Sequence, residues 1–197
     1  MSHLYRGLWL LTWPFISLFY PRKTYGKENR PGEGAYLICG NHSSNSDPFF
    51  MAYSMGVKHH IHFMAKMEIL KIPVLASILR GIAIIPVDRK SGGAMAMKQA
   101  MKLLKAGGKV GLFPEGTRVR GEEESAARAG AVRMAARMGV PILPVYIETN
   151  KRPFRFNRVV IGKAYHLNLD KTAKGEDYDK AAQEMMQTIK ALGEQIS

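Results

Sequence analysis

Cysteine is nearly absent. Cys39 stands alone among 197 residues, which excludes an internal disulfide framework and fits a reducing compartment; set in an apolar run, it reads as a small core residue. Acidic residues are scarce too, with 16 Asp and Glu against 29 Lys and Arg for a formal charge of +13. Such an excess favours an anionic partner: a membrane surface, a nucleic acid, a phosphorylated small molecule or an acidic protein. The charge-free stretch from Gly7 to Tyr20, "GLWLLTWPFISLFY", falls short of the roughly 20 apolar residues that span a bilayer as a helix, and Pro14 interrupts it. The "FYPRKTYG" that follows offers no small-residue cleavage site, so the stretch is not a secretory signal. Also missing are internal repeats, low-complexity tracts, interdomain linkers and a GxSxG nucleophile elbow.

What is present is the composition of a folded chain, 46% hydrophobic and 23% charged, of a length that suits one packed domain. Residues 1–30 read as a membrane-interface helix and linker, and residues 31–197 as the main domain. Trp9 and Trp13 suit a lipid interface, with Arg6, Arg22, Lys23 and Lys27 placed to meet lipid phosphates. Packing of this helix on the domain's own core is the other reading, and the two are compatible. "PRKTYGKENRPGEG" is the one loose segment, joining helix to sheet.

Further on, the chain alternates. Strands are expected at Tyr36–Cys39, Ile61–Ala65, Ile82–Val87, Lys109–Phe113 and Ile142–Glu148, several buried on both faces. Helices are expected at Pro48–Met55, Pro73–Leu79 and Ala126–Met138, and across "GGAMAMKQAMKLLKAGG", where Met97, Met101 and Leu104 share a face and Gly107 and Gly108 end the run. Arg158–Leu167 adds a late strand and Tyr178–Ile196 a C-terminal helix. The fold class is therefore α/β, a single domain with a mainly parallel sheet flanked by helices and an N-terminal amphipathic interfacial helix.

Three polar clusters follow strands: "NHSSNSD" the first, Asp88-Arg89 the third and "PEGTR" (Pro114 to Arg118) the fourth. Carboxyl ends of strands are where open α/β sheets bind ligands, so the clusters share one crevice. Asp47 before Pro48 is a helix-start signal, which makes the aspartate an N-cap. Alternatively, a short turn returns its carboxylate to His42, fixes the imidazole tautomer and leaves the other ring nitrogen as a general base. Ser43, Ser44 and Ser46 lie nearby, but serines in a tight turn more often bond backbone. In "FPEGTR", Gly116 permits a tight turn with exposed N–H groups and Arg118 offers a planar fork for phosphate, with an ordinary turn and a solvated arginine as the bland alternative. Arg89 is a second phosphate-binding candidate, or a local partner of Asp88.

These residues carry a resemblance. The sequence is similar to the glycerolipid acyltransferase family that includes 1-acylglycerol-3-phosphate (lysophosphatidate) acyltransferases, from about Tyr36 to Val145. "NHSSNSD" matches the family's Asn-His, four residues, Asp motif; "GIAIIPVDR" resembles the second motif, "FPEGTR" matches the third and "VPILPV" the fourth. "AKMEI" resembles a further family segment and brings in Lys66 as a phosphate contact. Val119 departs from the serine of many members, and Arg128 with Ala129 from a lysine-rich step.

The resemblance implies direct acyl transfer from a thioester to the free hydroxyl of 1-acylglycerol-3-phosphate, giving phosphatidic acid in phospholipid biosynthesis. His42 is then the base and Asp47 its orienting group. Arg118, Gly116, Glu115, Thr117, Arg89 and Lys66 hold the acceptor phosphate, while Pro141, Ile142 and Pro144 line the acyl path or simply build a buried strand. It implies no cofactor, acyl-CoA or acyl carrier protein as cosubstrate, and a peripheral, monotopic place on the cytoplasmic face of the cell membrane, against an anionic surface. Neither nucleic acid, for which no motif is present, nor metal, for which His59, His60 and His62 lack a clear set, is expected. Remaining alternatives are an acyltransferase for glycerol-3-phosphate or another lysophospholipid, a serine hydrolase, and a noncatalytic basic lipid-binding module.

Overall fold

The computed structural model describes residues 3–68, 84–88, 93–114, 122–169 and 173–195, with the backbone alone for 122–128. Helix α1 (His3–Phe19) leads into strand β1 (Arg22–Tyr25). The central pattern then follows as β2 (Tyr36–Gly40), α2 (Asp47–Met55), β3 (Ile61–Lys66), β4 (Ile85–Val87), α3 (Ala94–Lys105), β5 (Lys109–Leu112), α4 (Glu122–Met138), β6 (Ile142–Ile147), β7 (Asn157–Ile161) and α5 (Gly175–Glu194). The expected helix at Pro73–Leu79 and the start of the third strand lie outside the described residues.

One sheet holds the strands in the order β1-β7-β6-β2-β5-β3-β4. Neighbours from β6 to β4 run parallel, β7 turns antiparallel to β6, and β1 runs parallel to β7. The mainly parallel α/β architecture read from the pattern is the one observed. Strand β2 is buried along its whole length and pairs on both sides, as its unbroken apolar run requires. Its side chains divide by the two-residue period. Leu37 and Cys39 enter a core with Val110, Leu112, Ile142 and the inner residues of α3, α4 and α5, whereas Tyr36 and Ile38 enter a second core with Phe50, Met51 and Met55 of α2. Three helices thus cover one face and α2, with α1 outside it, the other.

Two local readings change. The segment taken as a loose joiner contains β1, whose four residues pair with Asn157 through Val160. A short polar strand at a sheet edge has one paired side and no apolar alternation to announce it. On α3 the fully buried positions are Ala96, Ala100 and Leu104, while Met97 and Met101 pack at the margin of the core; the small alanines let the helix lie close to the sheet. Gly107 does end that helix, with φ 81°, a left-handed conformation that favours glycine.

Helix α1 divides its apolar residues between two stripes. Tyr5 is buried and stacks on His60 at 4.0 Å, Thr12 Oγ1 bonds the Tyr53 hydroxyl at 2.6 Å, and Trp9 meets the Tyr53 ring edge-on. Leu4, Leu11, Phe15 and Leu18 form the other stripe and remain exposed. Docking on the domain therefore accounts for one edge of the helix and leaves a continuous apolar edge outside. No helix among the described residues is long and apolar enough to cross a membrane.

Candidate active site

Strand β2 ends in Gly40, where a side chain would have to displace the Met51 methyl. An added Cβ would lie 2.6 Å from the Met51 methyl and 3.4 Å from the Phe113 ring. The next residue, Asn41, is buried and uses its amide as an extra rung of sheet: Nδ2 donates to the Ile147 carbonyl at 2.8 Å, and Oδ1 accepts from the Ile147 N–H at 2.7 Å. This clamp fixes the carboxyl end of β2 to that of β6. Loss of it by Asn41→Ala leaves two buried backbone groups unpaired, at about 1–3 kcal/mol each.

His42 follows on that fixed end. Its Nδ1 lies 2.8 Å from Asp47 Oδ2, and its ring stacks on Phe113 at 4.5 Å. Two constraints therefore set the imidazole: a hydrogen bond in its plane and an aromatic face beneath it. With Nδ1 donating to the carboxylate, Nε2 carries the lone pair.

Asp47 does not cap α2. It is the first residue of the helix, with no side-chain cap bond at Ser46, and its carboxylate turns back toward β2. Oδ2 accepts from the N–H groups of Ser43 and Ser44 at 2.7 and 2.8 Å, as well as from His42. Oδ1 meets Lys151 Nζ at 2.6 Å. The side chain is 0% exposed. Burial pushes its carboxyl up, but the hydrogen bonds from His42, Lys151 and Ser44 outweigh that and hold it below the ordinary carboxylate range. The turn "HSSNSD" is thus wound around a charged carboxylate. Its serines are occupied in the winding: Ser43 Oγ accepts from Lys151 at 2.9 Å, and Ser44 Oγ pairs with Ser46 Oγ at 2.7 Å.

Lys151 was not singled out by the sequence. It lies in the turn after β6, with only 6% of its side chain exposed, and its ammonium also bonds the Glu148 carbonyl. Polar residues after parallel strands share one crevice, and β6 is such a strand, so its position after β6 is the signal that points to Lys151.

The other expected residues divide by position. Lys66 closes β3, paired with Val87 of β4, on the same edge of the sheet as His42. Arg89, Glu115, Gly116, Thr117, Arg118 and Val119 lie outside the described residues. The strands that lead to them, β4 and β5, end on that edge too. Pro141 and Ile142 lie toward the opposite end, Pro141 preceding β6 and accepting from the Leu37 N–H and Ile142 fully buried in the core, whereas Pro144 lies within β6 and pairs with Cys39, near the carboxyl end of β2. Their positions fit a buried strand. His59 and His60 serve packing, His59 bonding the Tyr36 hydroxyl at 2.7 Å and His60 stacking on Tyr5. A cleft of about 440 Å³ opens beside the dyad, with Asn41, His42 and Ser43 on one wall and Gln183, Gln187 and Lys190 of α5 on another.

A half-buried, carboxylate-oriented histidine at the carboxyl edge of an open α/β sheet is an arrangement suited to general-base catalysis. The family model for acyltransferases matches residues 21–148, and the chain belongs to that family. A 1-acyl-sn-glycerol-3-phosphate acyltransferase of Bacillus subtilis is 33% identical over 149 residues, covering 73% of each chain. One from Borreliella burgdorferi is 36% identical over 122 residues, covering 61% of this chain and 48% of that protein. In fold the chain is similar to the crystal structure of the 1-acyl-sn-glycerophosphate (LPA) acyltransferase PlsC from Thermotoga maritima. The TM-score is 0.59 at 23% identity, over 96% of this chain and 78% of that one.

Proposed function

We propose that the protein transfers a fatty acyl group from an acyl thioester, acyl-CoA or acyl carrier protein, to the free hydroxyl of 1-acylglycerol-3-phosphate, forming phosphatidic acid. The observation that carries this reading is the 2.8 Å bond between His42 Nδ1 and the buried Asp47 carboxylate. His42 Nε2 removes the proton from the acceptor hydroxyl as that oxygen attacks the thioester carbonyl carbon. The carbon–sulfur bond then breaks, the thiolate leaves, and the imidazolium returns the proton to it. No acyl-enzyme is required, which agrees with serines committed to the loop around Asp47. Asp47 holds the imidazole in the tautomer that presents Nε2 and stabilises the imidazolium.

Arg118, with Gly116, Glu115, Thr117, Arg89 and Lys66, holds the acceptor phosphate. The exposed stripe of α1 holds the protein peripherally on the cytoplasmic face of the cell membrane, where the acceptor resides.

The test crosses lysophosphatidate, other lysophospholipids and glycerol-3-phosphate with both donor types and reads products by mass spectrometry. Phosphatidic acid from lysophosphatidate is the expected product, and turnover of another acceptor alone would reassign the substrate. Arg118→Ala should reduce kcat/KM for phosphate-bearing acceptors by about 2–4 kcal/mol, and Arg118→Lys should recover little, because lysine keeps the charge but loses the fork. Equal losses on an uncharged hydroxyl acceptor would remove Arg118 from phosphate recognition.

A further inference from the structure

The turn after β6 carries the sequence Lys151-Arg-Pro-Phe-Arg-Phe156, basic and aromatic residues interleaved. Phe154 is 69% exposed and Phe156 76%, among the most exposed large apolar side chains of the described residues. Neither is exposed because the loop is loose. Asn157, buried at the start of β7, accepts from the Arg152 N–H at 2.8 Å and donates to the Arg155 carbonyl at 2.7 Å, closing the loop on itself. Phe154 has φ 58°, a left-handed backbone that a bulky side chain rarely adopts. The loop therefore presents its phenylalanines in a held conformation.

It also joins the face of α1. The Phe154 N–H donates to the Phe19 carbonyl at 2.7 Å, and the two rings approach to 5.5 Å. Phe15, Leu18 and Phe19 at the end of α1 are exposed beside it, so helix and loop make one apolar surface. The charge on the loop is of one sign. Arg152 and Arg155 border a cleft of about 230 Å³ next to Phe156, and the carboxylate in that cleft, Glu148, is already paired with Arg158 at 2.6 Å. Apolar tips with unopposed arginines behind them fit an interface with acyl chains below and phosphates above.

We propose that the β6–β7 loop, Lys151–Phe156, is a second interfacial anchor, inserting Phe154 and Phe156 into an anionic bilayer while Arg152 and Arg155 bind lipid phosphates. The proposal rests on the membrane-surface reading of α1 and adds a second point of attachment. Two points fix the orientation of the protein on the bilayer, where one helix leaves it free to pivot. The loop is also tied to the dyad, because Lys151 at its start holds Asp47. Seating the loop thus brings the His42 edge of the sheet to the membrane surface.

The experiment uses the full chain with Phe156→Cys labelled by an environment-sensitive fluorophore; Cys39 is fully buried and leaves the new thiol as the one to react. Vesicles of phosphatidylcholine with phosphatidylglycerol, with and without a brominated acyl chain, are the probe. The label should blue-shift on binding and be quenched by brominated lipid. Phe154→Ser/Phe156→Ser should weaken partitioning at least ~10-fold with α1 intact, and Arg152→Gln/Arg155→Gln should reduce the preference over phosphatidylcholine alone. A bound protein whose label neither shifts nor quenches overturns the loop anchor while the role of α1 stands. Failure of the intact chain to bind any vesicle overturns both. If the double serine variant binds vesicles normally but shows a raised KM for acyl carrier protein, the loop docks a protein and the proposal is wrong.

Discussion

Asp47 keeps its charge in a fully buried position because donors of three kinds converge on it: the imidazole of His42, the ammonium of Lys151 and the N–H groups of the turn. Replacing Lys151 with Met removes one charge-assisted bond from a desolvated carboxylate. Urea denaturation should show a loss of about 1.5–3 kcal/mol, and kcat should fall more than KM changes, since the residue orients the dyad rather than binding substrate. Lys151→Arg should restore part of both; a Lys151→Met protein of normal stability and kcat would detach the lysine from the dyad. The pH dependence follows from the same site. The carboxyl is held below its unfolded value of about 3.9, so its contribution to stability is fully present above that value and fades as pH falls through the lower, folded one. The stability gap between wild type and Asp47→Asn should shrink as pH falls below about 4. A gap unchanged at low pH would mean that the carboxylate is not held by its partners. His42 and Asp47 could be read from sequence because they are five positions apart at a strand end, and local chemistry alone relates them. Lys151 is related to Asp47 only through the pairing of β6 with β2, which no short pattern records.

At the scale of elements, α1 has two faces and each has its own consequence. Deletion of Met1–Tyr20 removes the Tyr5 and Thr12 contacts but ends before β1, whose pairing with β7 remains. The truncated protein should stay folded and lose most of its binding to anionic vesicles in a flotation assay, and the intact protein should bind less at high salt, where its basic residues are screened. Unchanged partitioning after deletion would leave α1 a packing helix only. Long apolar elements were legible: β2, β6 and α5 announce themselves by continuous or periodic burial. Strand β1 was not, because four polar residues at an edge make their bonds through the backbone, whatever their side chains. The direction of Asp47 was likewise beyond the helix-start pattern. A cap and an orienting carboxylate have the same sequence, and the buried donors decided between them.

For the whole molecule, the parallel order of β6, β2, β5, β3 and β4 brings the strand-end residues His42, Lys66 and Phe113, and the turn carrying Lys151, to one edge, beside an apolar surface formed by α1 and the β6–β7 loop. The His42–Asp47 pair and this exposed apolar surface thereby lie on adjoining parts of one basic protein. The central claim is that His42, set by Asp47, is the base of thioester-dependent acyl transfer. It is tested most directly by measuring phosphatidic acid formation from lysophosphatidate and an acyl thioester by His42→Ala, with circular dichroism and vesicle binding recorded on the same sample. Turnover should drop by about 10²- to 10⁴-fold while fold and vesicle binding match the wild type. Near-normal turnover by a folded His42→Ala protein would contradict the assignment.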